Sequence, residues 1–399
     1  MGTVYLSLEE PIARAPRGRR WALWDLGFRP FYLLAAALAA VSVPLWALQF
    51  SGWLGAAYLR GAAWHAHEMV FGYALAIIIG FLFTAGRNWS GQRTPTGRPL
   101  MALAALWVAA RLALLSPWGE LAALLNVAVP WFAAWGLWRA LHRGGNRRNY
   151  FFVALLGVMG IAAGVLHAGW LGWVALPAGL GLPLALDVVL FMIAVMAGRV
   201  VPMFSNNGVP GMQAVRDERV ERSALATVLL LMALDAGQAP APVLAAGAAA
   251  AAVVHTWRWW LWQPWKSLAN PLVAVLHVAY AWLPVHLVLR AGAALGAWPA
   301  GPATHALTVG VIGMVTLGMI TRTALGHTGR PLHAGPVEQA AYLALFLAAA
   351  VRVFTPLVWP PGLAVATLVS AGLWTLAFVL YLWRYTPWLL RPRADGQPG

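Results

Sequence analysis

Ten residues, Trp64–Tyr73, read WHAHEMVFGY. Two histidines, a glutamate and a methionine fall inside this stretch, and an apolar run follows at once. The chain of 399 residues has only 12 acidic residues and 10 histidines, so the crowding asks for a chemical reason. Neutral imidazole is the commonest metal ligand. Copper accepts imidazole and thioether together, and a nearby carboxylate can ligate, support a ligand or carry a proton. Residues two apart on a helix point about 200° apart. His65 and His67 therefore cannot readily chelate one ion from a regular helix. They can serve two neighbouring centres, or one can ligate while the other supports. Glu68 and Met69 follow His65 by three and four residues and are expected on its face, a set suited to copper. His67 faces elsewhere, beside Val70 and Phe71, as a haem ligand would. Replacing each histidine separately is then expected to remove different metals.

The elements that must position these groups are membrane helices. The chain is 61% hydrophobic and 10% charged, with mean hydropathy +0.70. A soluble domain carries about 25% charge. The composition is that of an integral membrane protein, and the 24 tryptophans suit interfacial belts. The absence of cysteine excludes disulfides, thiolate zinc sites, cysteine-ligated iron–sulfur clusters and covalent c-type haem. Any metal must be held by nitrogen, oxygen or thioether.

Apolar segments at 28–50, 62–86, 99–116, 119–138, 150–174, 182–201, 222–236, 240–260, 270–292, 303–321, 336–358 and 361–384 predict an all-α polytopic protein of about twelve transmembrane helices. The domains are then a basic cytoplasmic N-terminus (1–27), the transmembrane domain (28–386) and a cytoplasmic tail (387–399). No cleavable signal peptide is expected, because the first apolar run is too long for one. With twelve spans, every Lys and Arg falls on the side of the termini except Arg60, Arg111, Arg290 and Arg352. The positive-inside rule makes that side cytoplasmic. The net charge of +15 is thus topology, and nucleic acid drops out as a partner.

At 1.5 Å per residue, His65 and His67 stand about 30 Å from the cytoplasmic Arg87, and His305 about 26 Å from Arg322. His167 and His286 reach the same outer level by this count, and Asp187 joins it at the outer end of the sixth span. His277 lies deeper. Each histidine alone has a plain reading as an interfacial residue. Together they read as a site, since ionisable groups inside spans are costly. Metal binding and a proton relay both explain the level.

A pattern also repeats every four spans. FLFTAGRNWSG, VMAGRVVPMFSNNG and LGMITRTALGHTGRP each carry a small residue, an arginine and then an expected polar loop. Their spans begin with His65/His67, Asp187 and His305. This hints at three four-helix arcs. The arginines also suit helix C-termini, where a cation meets the dipole, and the GHTGRP loop could take an anion with Arg330.

These stretches carry a family resemblance. LGFRPFYLLAA (Leu26–Ala36), WHAHEMVFGYALAIIIGFLFTAGRNWSG (Trp64–Gly91), GRVVPMFSNNG (Gly198–Gly208) and HALTVGVIGMVTLGMITRTALGHTGRPL (His305–Leu332) resemble the NnrS family of bacterial membrane proteins. That family is associated with nitric oxide metabolism and reported to hold haem and copper. The resemblance runs along the whole chain. It implies a non-covalent, b-type haem and copper, a cytoplasmic (inner) membrane location, and nitric oxide or another diatomic gas as ligand. The architecture is also similar to haem–copper oxidase subunit I, with twelve helices in three arcs and haem histidines on the second and tenth. By that analogy His65 or His67 pairs with His305 about a haem, with His167, Arg29 and Arg322 as further cofactor contacts. The usual three-histidine copper site is missing, so copper would use other residues, such as His167, His277 or His286; the candidate metal ligands as a whole are His65, His67, Met69, His277, His286 and His305.

The expected function is a haem- and copper-binding protein that binds or reduces nitric oxide, or protects against nitrosative stress during denitrification. An oxidoreductase role stays open. Glu68 and Asp187 are the candidate catalytic proton carriers, and electrons would come from quinol or an external donor. The alternative is a proton-coupled transporter with twelve helices and no cofactor. A third reading is an assembly partner of a reductase complex.

Overall fold

The computed structural model describes residues 21–50, 58–59, 61–175 and 180–397. Most of the expected N-terminal segment, up to Arg20, lies outside the described residues, as does Arg60.

The described chain is all-α. Counting a helix that runs on through a π-helical stretch as one, the helices are α1 (Phe28–Phe50), α2 (Gly61–Ser90), α3 (Arg98–Leu114), α4 (Gly119–Arg143), α5 (Tyr150–Trp170) and α6 (Gly181–Gly208). They continue with α7 (Glu218–Ala236), α8 (Ala241–Leu261), α9 (Pro271–Ala294), α10 (Ala300–His327), α11 (Pro336–Val358) and α12 (Leu363–Leu390). Each expected apolar segment is a helix. Among the described residues, however, nine of these helical stretches are long and apolar enough to cross a membrane. The exceptions are α3, α7 and α8. Helix α3 has 17 residues and carries Arg111 near its end. Helix α7 opens on Glu218, Arg219, Glu221 and Arg222 and closes on Asp235 and Ala236. Its uncharged middle is about 18 Å long, short of a hydrocarbon core of about 30 Å.

The helix ends show why hydropathy misplaced several boundaries. Helix α7 starts four residues before the expected segment because Asp217 caps it, accepting bonds from the Arg219 and Val220 amides. Helix α9 is capped by Asn270 with Pro271 at its first position. At α11 the Glu338 carboxylate accepts the Gly335 amide at 2.9 Å. The stretch GRVVPMFSNNG, expected as a polar loop, is helical to Gly208, and TRTALGH is helical to His327. Their arginines therefore lie inside helices. Helix α12 likewise runs through Pro387 to Leu390, beyond the expected start of the tail. Helix α2 also runs on, through Arg87 to Ser90, and stops at Gly91 in the left-handed region at φ 63°.

Helices next to each other in the chain pack together, and the last closes on the first. Helix α1 packs on α12, α5 on α4 and α9 on α8; α2 packs on α1, α6 on α5 and α10 on α9. Leu268, Val358 and Trp383, 68–82% exposed, belong to an apolar outer surface that only lipid can cover. The chain is a polytopic membrane protein.

Helices α2 and α10 share one irregularity. Each switches to π-helical winding, over Glu68–Ala74 and over Ala306–Gly313. The switch comes directly after His67 and directly after His305. A π stretch frees backbone groups, and such stretches concentrate at functional sites. The surrounding helices supply partners here. The Trp107 indole donates to the Gly72 carbonyl at 3.2 Å, and the Thr316 hydroxyl lies 2.6 Å from the Ile312 carbonyl and 2.9 Å from that of Gly313.

Candidate functional site

The two histidines of WHAH part company, as 200° of helical rotation requires. His65 stacks on Trp46, with ring centroids 4.6 Å apart. It faces a cavity of about 250 Å³ between α1, α2, α10, α11 and α12, with some of its wall from α6. Met69, Tyr73, His305, Arg352 and Trp374 line the same cavity. The His305 Nδ1–H donates to the Gly301 carbonyl at 2.8 Å, which leaves its Nε2 as a ligand nitrogen. The His65 Nδ1 is buried without a partner.

His67 points the other way and is fully buried. Its Nε2 lies 3.2 Å from the Nε2 of His167 on α5. Its Nδ1 lies 3.3 Å from a Glu68 carboxylate oxygen, which also accepts from Arg111 on α3 at 2.7 Å. Arg111 in turn donates to the Asn126 side chain on α4. At the other end the Tyr58 hydroxyl is 3.3 Å from the His167 Nδ1. One set of proton positions satisfies every contact. Tyr58 donates to His167, His167 Nε2–H donates to His67 Nε2, and His67 Nδ1–H donates to the carboxylate that Arg111 holds.

Glu68 thus departs from the face expected for it. It lies about 60° around the helix from His65 and 100° from His67, so rotation alone does not choose. The buried Arg111 decides, because an unpaired guanidinium in that place would be costly. Met69 remains with His65. Gly72 makes room for the pair: a Cβ there would stand 2.9 Å from the Arg111 guanidinium, 3.1 Å from Glu68 and 2.5 Å from Leu38. Gly72→Ala is expected to destabilise the protein by about 1–3 kcal/mol through overpacking. Thermal unfolding in detergent measures it; a change within error would mean that Leu38 and Arg111 yield freely.

The other candidates fall elsewhere. His286 donates through Nδ1 to the Ala303 carbonyl at 2.8 Å, beside His305, with its Nε2 buried and unpartnered. His277 lies 2.8 Å from the Ser205 hydroxyl, deeper on α9. Asp187 stands 3.9 Å from Arg290, which also binds Asp235. Arg29 gives its guanidinium to the Leu389 and Arg391 carbonyls at 2.9 and 2.7 Å, capping α12. Arg322 lies over the Phe204 ring at 3.6 Å. Arg322 sits about 26 Å along α10 from His305, so it does not share a small-molecule site with it. The GHTGRP loop is occupied by the chain's own tail: Ala394 donates to the Thr328 carbonyl, and the Asp395 carboxylate lies against Gly329.

The six proposed metal ligands therefore do not converge on one point, and among the described residues no three His, Asp or Glu side chains gather closely enough to hold an ion. The sequence missed Tyr58, Arg111 and Arg352 as site residues. Arg111 and Arg352 did stand out as arginines on the sparsely charged side opposite the termini expected from twelve spans, which was a usable signal.

A search of curated proteins finds no match to this chain. The family model described as NnrS protein matches residues 22–393, nearly the full length. The chain therefore belongs to the NnrS family.

Proposed function

We propose that this protein is a haem- and copper-binding protein of the bacterial cytoplasmic membrane that handles nitric oxide. The observation that carries the reading is the convergence of His65 and His305 on one cavity from two helices that each turn π-helical at the histidines. The residues suit a bis-imidazole haem. One imidazole is fixed through Nδ1, the other has a buried nitrogen without a partner, and Arg352 is a cation for a propionate. Haem held there supplies diatomic-gas binding and one-electron transfer.

His67 and His167 suit copper. Their Nε2 atoms are 3.2 Å apart, close enough that both would reach one ion. Glu68 and Tyr58 orient the two rings from behind, as carboxylate–histidine pairs do at metal sites. This exchanges the parts first expected of the two histidines. Glu68, shared by His67 and Arg111, would be the proton-accepting carboxylate beside this pair, and Asp187 would exchange protons with the outer face.

We take α3, α7 and α8 as spans shortened by polar ends, giving twelve helices with cytoplasmic termini. The meeting of α2, α6 and α10, each four helices apart, around one inner cavity supports three arcs, similar to haem–copper oxidase subunit I. That likeness concerns architecture and does not carry the chemistry of oxygen reduction. Electrons would come from quinol or an external donor.

The test is an optical spectrum of the purified chain, oxidised and reduced, with iron and copper counted on the same sample. His67→Ala and His167→Ala are expected to lose copper and keep haem. A folded, colourless, metal-free protein would overturn the reading in favour of a proton-coupled transporter.

A further inference from the structure

A second cavity lies along the inner faces of α2, α6 and α10, with α1, α5 and α9 completing the wall. It is about 100 Å³ in volume. Ile77, Met192, Met196, Ile312, Val315 and Met319 supply most of its surface. Only two hydroxyls approach it. Thr316 spends its hydroxyl on Tyr73 at 2.5 Å and on two backbone carbonyls. Tyr32 has its hydroxyl buried without a hydrogen-bond partner, and one lone hydroxyl is too few contacts to hold a water. A cavity with so few polar partners stays dry, and dry apolar cavities of this size take up xenon and small apolar molecules.

Its position gives it a use. Ile312 belongs to the walls of both this chamber and the His65/His305 cavity. Tyr73 lines the histidine cavity, its neighbour Ala74 lines the chamber, and the Tyr73–Thr316 bond joins the two partitions. The chamber sits about 10–20 Å below His305 along α10, in the apolar middle of the membrane. Diatomic gases concentrate in hydrocarbon, whereas a charged or hydrogen-bonding substrate would find nothing here to replace its water. The three methionines are flexible enough to let a small guest pass.

We infer that the chamber between α2, α6 and α10 is a binding site for a small apolar gas and passes it to the His65/His305 cavity across Ile312. The inference rests on the proposed function only for which gas it is and for what receives it.

Xenon is the probe, because its binding needs no haem. Full-length protein, crystallised and pressurised with xenon, is expected to show a xenon atom in the chamber. Ile312→Phe and Val315→Phe each place a ring in it and are expected to abolish that site. In pigmented protein the same variants are expected to slow recombination of photolysed carbon monoxide several-fold. Two variants are used so that one may fail to fold. An empty chamber in well-ordered, pressurised protein overturns the inference. So does recombination at the wild-type rate in a variant that has lost its xenon. Failure of the haem reading looks different: the protein is colourless and the xenon site is still filled.

Discussion

Purified as the full chain, His305→Ala is expected to lose its haem absorption almost completely, and His65→Ala to do the same, while His67→Ala keeps it. The physical basis is the division of labour on α2. His65 and His305 face one cavity, and His305 is held through its Nδ1 by Gly301. Removing either would leave one imidazole to hold the proposed haem, in a cavity with no other imidazole on its wall. His67 lies behind the helix against His167 and does not line that cavity. Arg352→Gln should weaken haem retention without abolishing it, because a propionate contact is one interaction among several. The measurement is the ratio of the haem band to protein absorbance, with circular dichroism to show that the helices persist. Equal loss from His67→Ala and His65→Ala would sink the assignment, since the two would then act on one centre.

The second large effect concerns stability. Arg258 is 1% exposed and binds both oxygens of Glu221, at 2.8 and 2.6 Å. It also donates to the Ala194 carbonyl at 3.0 Å and the Tyr280 hydroxyl at 3.1 Å. Gly198 leaves the space, since a Cβ there would collide with the Arg258 guanidinium and the Glu221 carboxylate. Arg258→Met is expected to cost about 3–5 kcal/mol, because it strands a buried carboxylate. Arg216, 3.6 Å from the same carboxylate and half exposed, should hold the cost toward the lower end. The double variant Arg258→Met/Glu221→Met should recover most of the loss, because a buried pair is replaced by apolar groups of similar length. Arg222→Met is the control. Its partner Glu218 and Arg222 itself are 78% and 77% exposed, and the loss should be under about 1 kcal/mol. Unfolding in mixed micelles gives the three values. A double variant as unstable as the single would mean that the Ala194 and Tyr280 contacts, rather than the stranded charge, set the cost.

Much of the fold was legible because lipid imposes a one-dimensional rule. A helix that spans must be apolar for its length, so hydropathy finds it. The rule fails where a helix continues beyond the apolar stretch. The first turn of α7 is charged and Asp217 caps it; the ends of α6 and α10 run on through asparagine, arginine and threonine. Helix continuation there is set by backbone hydrogen bonds, to which hydropathy is blind.

The candidate site divides along a similar line. The sequence by itself determined that ionisable groups gather at one level of α2, α5, α9 and α10, because position along a span is depth. It also determined that His65 and His67 must face apart, because helical rotation is fixed. Only the tertiary structure decided which partner each one meets. His167 is 100 residues from His67, and Arg111 is 43 from Glu68. No local spacing encodes such contacts. They depend on how α3 and α5 lie against α2, and on a π turn that the residues of α2 do not announce. Depth is a property of one helix, whereas a site is a property of several.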